Sequence, residues 1–240
     1  MCTVTFIPAN DHCFITSSRD ENAARPQAIA PGIYKKNGFA LLYPKDAAAC
    51  GSWIALNENG NMAVLLNGAF IKHEPKPPYR KSRGLVFLDI IAHPQPNHYF
   101  AEIDLANIEP FTVVLLVNRC LYECRWDGAK KHDKQLDETK THIWSSATLY
   151  SPAATSKRNY WFNKWLTETG SPTQEDIFNF HRLAGDGDST NSVLMNRGGE
   201  LLTVSITGIV LNNGKGTMHY FNVLNNKAAF NTMEFAQVVH

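Results

Sequence analysis

A cysteine directly behind the initiator methionine, Cys2, is the residue of this chain with the most chemistry within reach. Methionine is normally trimmed when the next residue is this small, so the mature chain is expected to begin with a thiol and an α-amine on one residue. A free thiol has a pKa of about 8.5 and an α-amine about 7.7 to 8.0, so near neutrality the amine can take the thiol proton without a separate histidine. Such a residue is a nucleophile that carries its own base. The elements around it are legible. Thr3 to Pro8 is a short β-rich run, Asn10-Asp11 is turn chemistry and Cys13 to Ser18 is a second such run, which together read as a hairpin. With Asn10-Asp11 as the two-residue loop, Ala9 faces His12, and counting outward sets Cys2 opposite Arg19. Paired residues lie about 4.5 to 5.5 Å apart at Cα, close enough for a guanidinium to stabilise a thiolate. The plainer reading of Arg19, Asp20 and Glu21 is that they solvate a strand end.

Met1-Cys2-Thr3, then Ser17-Ser18-Arg19-Asp20-Glu21-Asn22 with Arg25-Pro26, resemble the opening of the NRDE family, also called the transport and Golgi organisation protein 2 family. Ser18 stands where the name-giving tetrapeptide has an asparagine. Further matches are Gly51-Ser52-Trp53-Ile54-Ala55-Leu56-Asn57 with Gly60, the Ser82-Arg83-Gly84 step, and Trp144-Ser145-Ser146-Ala147 ahead of an aromatic helix. They span most of the chain in the family's order.

That family in turn resembles the cysteine branch of the N-terminal-nucleophile hydrolases, which contains penicillin V acylase and bile salt hydrolase. The resemblance implies an α+β fold: an αββα sandwich, two mainly antiparallel sheets between helical layers, here as a single domain over residues 1–240. It implies Cys2 as the nucleophile, Arg19 and Asp20 as the groups that hold the thiolate and the α-amine, and Asn67 as an oxyanion donor. Asp20 sits immediately beside the arginine, whereas the branch places its aspartate a few residues later. The branch's second oxyanion asparagine is replaced by Ser145-Ser146, with Ser146 the hydroxyl donor in its place. Its late arginine has no counterpart between Gly185 and Ser192. The implied activity is hydrolysis of a non-peptide carbon–nitrogen bond in an N-acyl amide, with no metal or cofactor. The alternative is a non-catalytic ligand handler, since proposals for the eukaryotic relatives include haem trafficking and lipid or acyl-CoA metabolism.

Composition narrows the partners. The 240 residues are 44% hydrophobic and 19% charged, enough to bury a large core. A net charge of +1 offers no basic face for nucleic acid. Asp11, His12, Arg19 and Asp20 interrupt the first twenty residues, so neither a signal peptide nor a membrane span is expected and a cytoplasmic location is the default. The expected partner is a small-molecule substrate or hydrophobic ligand, and a homo-oligomer is left open. Cys120 and Cys124 fall four apart in one strand, about 13 Å, too far to bridge. They read as small buried hydrophobes, as do Cys13 and Cys50. The histidines, His240 included, lack the paired spacing of a zinc site.

The elements predicted from pattern are strands at both ends with helices between. Trp53 to Asn67 reads as a hairpin turning at Glu58-Asn59-Gly60, Thr112 to Val117 as a strand covered on both faces, and Leu121 to Trp126 as its partner through Asn118-Arg119. Alternation from Leu202 to Thr207, then Asn213-Gly214, predicts a further hairpin into Met218 to Val223. Helices are expected at 82–93, 96–107, 156–168 and 172–184, the last with a capping box at Ser171, Pro172 and Gln174. Trp161, Phe162, Trp165 and Leu166 form an aromatic stripe for core packing. Lys72 to Arg83, five basic residues among three prolines, reads as an exposed loop or as a guide for anionic ligands.

Overall fold

The computed structural model describes residues 3–235. The first half of this span holds β1 (Thr3–Pro8), β2 (His12–Asn22), β3 (Ile29–Lys36), β4 (Phe39–Lys45), β5 (Ile54–Asn57), β6 (Met62–Asn67), α1 (Arg83–Ile91), α2 (Pro96–Glu102) and β7 (Phe111–Val117). There follow β8 (Cys120–Trp126), β9 (Lys131–Leu136), β10 (His142–Ser145), α3 (Pro152–Thr169), α4 (Gln174–Leu183), β11 (Asn196–Arg197), β12 (Leu201–Asn212), β13 (Lys215–Asn222) and β14 (Lys227–Glu234). The strands form two antiparallel sheets. One runs β10-β1-β2-β12-β13-β14 with β11 added on β12, and the other runs β3 to β9 in chain order.

Three apolar clusters define the layers. Val86, Phe87, Ile90 and Phe100 of α1 and α2 pack on Val113, Leu115 and Ala63 of the second sheet. Val4, Phe6 and Ile15 of the first sheet meet Trp53, Leu56, Val64 and Val114 of the second. Phe162 of α3 and Ile177 and Phe180 of α4 cover Ile7 and Phe14 on the far side of the first sheet. The result is the αββα sandwich. A strand in the middle of it has no solvent face, which is why β7 is buried at every position and apolar at all but Thr112, whose hydroxyl donates to the Gly68 carbonyl.

Several boundaries differ from expectation for local reasons. The second helix ends at Glu102, because Ile103 adopts an extended conformation (φ −54°, ψ 133°) and caps it. The third begins at Pro152, with the Ser151 hydroxyl accepting from the Ala154 N–H. The capping box of α4 is Thr173 with Asp176, two residues beyond the one expected, and Ser171 and Pro172 precede the helix. Cys50 is exposed rather than buried, and Cys13 and Cys120 are half-buried, so only Cys124 is the buried hydrophobe expected. The largely exposed strands β3, β9 and β14 carry no apolar alternation strong enough to announce them.

Candidate active site

The β1–β2 hairpin is built as its turn predicts. The Ala9 N–H donates to the His12 carbonyl at 2.8 Å, and the register runs from Pro8↔Cys13 to Thr3↔Ser18. Cys2 lies outside the described residues. Successive side chains of β2 alternate between faces. Ile15 and Arg19 face the second sheet, whereas Phe14, Ser18 and Asp20 face the helical layer.

Arg19 is 4% exposed and donates from Nη2 to Asp46 at 2.6 Å and to Glu21 at 3.3 Å. Its guanidinium stands 4.7 Å from the centre of the Trp53 ring, a cation–π contact in a dry setting. Asp46 is the hub of this corner. Arg25 grips it with both carboxylate oxygens engaged, at 2.9 and 3.0 Å, and the Ala48 and Ala49 N–H groups donate to Oδ1 at 3.0 and 2.7 Å. Burial pushes the Asp46 carboxyl up, but the Arg25 fork, the Ala49 N–H and the Arg19 charge outweigh it and hold the group below its ordinary value.

Arg19, Trp53 and Asn67 line a cavity of about 470 Å³, bounded on its other side by Ser82 and Arg83 at the start of α1 and by Glu109 ahead of β7. That helix comes so close because Gly51 and Gly84 lack side chains. A Cβ on Gly51 would stand 2.6 Å from the Gly84 carbonyl carbon. The basic segment before α1 is less free than its composition suggests. Arg80 pairs with Asp104 at 3.1 Å, Arg83 with Glu109 at 3.0 Å, and Lys81 with Asp89.

Asn67 closes β6 and is joined to the segment after β10. The Ser146 hydroxyl donates to the Asn67 carbonyl at 2.9 Å and lies 3.0 Å from the Thr148 hydroxyl. Gly68, at φ +78°, allows this approach, since a Cβ there would fall 2.9 Å from Thr148 Cγ2. Further along, the Tyr150 hydroxyl donates to Asp20 Oδ2 and the Thr203 hydroxyl to Oδ1, both at 2.5 Å. Thus Arg19 and Asn67 share the cavity, Ser146 stands behind Asn67, and Asp20 belongs to the opposite face of its strand.

The helical layer supplies residues that the sequence did not single out. Two arginines from outside the window Gly185 to Ser192 flank the Tyr150 ring, Arg158 at 3.4 Å and Arg197 at 5.5 Å. His181 is fully buried between Thr5 and Ser18, at 2.9 Å from Nε2 and 2.8 Å from Nδ1. Burial, and then the Arg158 charge, push it down to about 3, so the ring is neutral with one nitrogen donating and the other accepting. Nothing in the local pattern around Tyr150, Arg158 or His181 marks them, because their partners are remote in sequence.

Two antiparallel sheets between helical layers, arranged in this order, are the fold of the N-terminal-nucleophile hydrolases. The chain superposes on crystal structures of conjugated bile acid hydrolase from Clostridium perfringens. With a cysteine-to-alanine mutant the TM-score is 0.62 at 13% identity, covering 98% of this chain and 92% of that one. With an arginine-to-leucine variant it is 0.60 at 12% identity, covering 97% and 92%. At such identities the likeness concerns the fold. No curated protein matches the chain in sequence. The family model for transport and Golgi organisation 2 matches residues 1–205, and the chain belongs to that family.

Proposed function

We propose that the protein is a cysteine amidohydrolase of the N-terminal-nucleophile type, acting on the carbon–nitrogen bond of a small N-acyl amide. The observation that carries this reading is the hairpin register. Thr3, the first described residue, pairs with Ser18, the neighbour of Arg19, and Arg19 borders the same cavity as Asn67. In this reading Met1 is removed and the Cys2 thiolate attacks the amide carbonyl. The α-amine takes the thiol proton and passes it to the leaving nitrogen. Arg19 uses Nη2 on its carboxylate partners and offers its remaining N–H groups to the thiolate. The Asn67 side-chain amide donates to the oxyanion, and Ser146 acts behind it by holding the Asn67 backbone. Asp20, fixed by Tyr150 and Thr203, anchors the strand beside the α-amine. Water then cleaves the thioester and releases the carboxylic acid. Residues 1–240 act as one unit, without a metal or cofactor.

Replacing Cys2 by serine is expected to abolish turnover across a library of N-acyl amides while leaving the circular dichroism spectrum unchanged. Asn67→Ala should lower kcat by about a hundredfold or more, the usual cost of one oxyanion donor. Equal turnover by wild type and the serine variant would overturn the reading.

A second reading has an observation of its own. A cavity of about 770 Å³ opens beside Tyr150 and Trp144, with Phe70 and Ile71 at its rim, 55% and 78% exposed. Those dimensions and rim residues suit a hydrophobic ligand, which a non-catalytic member would carry, either haem or a lipid or acyl-CoA. Titration should then shift the Soret band, or quench Trp144 fluorescence with a long-chain acyl ligand. Unchanged spectra with both ligands would remove this reading.

A further inference from the structure

Arg158 of α3 is 0% exposed, and among the described residues no carboxylate pairs with it. A cation taken wholly out of water is costly unless every N–H finds an acceptor. Here the acceptors come from separate parts of the chain. Nη1 donates to the Thr3 hydroxyl at 2.5 Å, Nη2 to the Ser192 carbonyl at 2.6 Å and Nε to the Asn191 carbonyl at 3.2 Å. The face of the guanidinium lies on the Tyr150 ring at 3.4 Å. Tyr150 in turn holds Asp20. One side chain on a helix therefore ties the first described residue of β1 to the tyrosine that holds Asp20 of β2.

We propose that Arg158 is a positioning residue for the N-terminal nucleophile. By clamping Thr3 against Tyr150 it fixes the strand end from which Cys2 must approach Arg19, and so sets the reactivity of the thiol. The proposal rests on the reading of Cys2 given above. The planar fork matters here as well as the charge, because a lysine ammonium on a flexible stem cannot reach the Thr3 hydroxyl and two carbonyls while stacked on a ring. His181 is also bonded across β1 and β2, to Thr5 and Ser18, but it acts two residues further along β1 and touches neither Thr3 nor Tyr150 in the hydrogen bonds it makes.

The test uses the full chain in three forms: wild type, Arg158→Lys, which keeps the charge and loses the fork, and Thr3→Val, which keeps the arginine and removes one acceptor at nearly constant volume. Cys2 alkylation is followed against pH, with the exposed Cys50 as internal reference, and hydrogen exchange is followed over residues 3–8. Both variants are expected to slow Cys2 alkylation at least tenfold at neutral pH, to move its pH midpoint upward, and to speed exchange in β1 while Cys50 is unaffected. Unchanged exchange in a folded variant overturns the proposal. So does faster exchange with an unmoved pH midpoint, since Thr3 would then be held without consequence for the thiol. Should Arg158→Lys fail to fold, Thr3→Val alone decides between these outcomes. If Cys2 of the wild type reacts no faster than Cys50, the hydrolase reading itself fails, a result read in the wild type before any variant is compared.

Discussion

Replacing His181 by glutamine should flatten the acid side of the stability profile. The ring is fully buried and pushed down to about 3, against 6.5 for an unperturbed histidine. Between those values the unfolded chain binds a proton at this position and the folded chain does not, so stability falls as the pH is lowered and is fully present only above 6.5. Each pH unit in that interval costs about 1.4 kcal/mol, so the loss between pH 7.5 and pH 5 comes to about 2 kcal/mol. For a chain of this length about 2 kcal/mol corresponds to about 4–8 °C in Tm.

Glutamine cannot titrate. Whatever constant loss of packing or hydrogen bonding it brings is the same at both pH values and cancels in the comparison. Other groups titrate in both proteins alike. Scanning calorimetry of the two proteins at a series of pH values should show wild type losing about 4–8 °C more than the variant over that range. Parallel curves would show that His181 accepts a proton in the folded state and that its buried, neutral bridge between Thr5 and Ser18 is wrong.

Asp46→Asn should cost about 2–3 kcal/mol, since it leaves the buried Arg19 with Glu21 as its remaining carboxylate while the amide can still accept from Ala48 and Ala49. Arg25→Met, which removes a one-third exposed cation from the same carboxylate, should cost under about 1 kcal/mol, and urea midpoints at constant m compare the two. Because the Asp46 carboxyl is held below 3.8, its contribution is present above that value and fades as pH falls through the lower folded one, so wild type and Asp46→Asn should converge in acid. Gly51→Ala should lose about 1–3 kcal/mol, because the new Cβ meets the Gly84 backbone, which has no rotamer to yield; an unchanged Tm would contradict the close approach of α1.

The parts of the fold that were legible share one property: their determinants are close in sequence. A two-residue turn sets the pairing of β1 with Cys13 to Ser18 of β2, and Asn213-Gly214 does the same for β13 with Ser205 to Asn212 of β12. The apolar run of β7 from Val113 to Val117 announces burial on both faces. The capping box of α4 was displaced by two residues because Ser171 and Thr173 both offer a hydroxyl, and Asp176 selects the second through its own bonds to the Thr173 N–H and hydroxyl. Strands β3, β9 and β14 were silent because a largely exposed strand needs no apolar stripe.

The sequence by itself determined the family, the sandwich and the hairpin that brings Arg19 to the N-terminal end of β1, since alternation, turn residues and local motifs act over a few positions. Tertiary structure alone decided what those residues meet. Adjacent residues of a strand project to opposite faces, so Arg19 finds Asp46 and Trp53 while Asp20, next to it, finds Tyr150 and Thr203. The Ser146 hydroxyl goes to the Asn67 carbonyl, 79 positions away, and Arg158 reaches Thr3 across 155. Hydrogen bonds and buried charges act over about 3 Å of space whatever the separation along the chain, and only the packed sheets and helices bring such partners within that range.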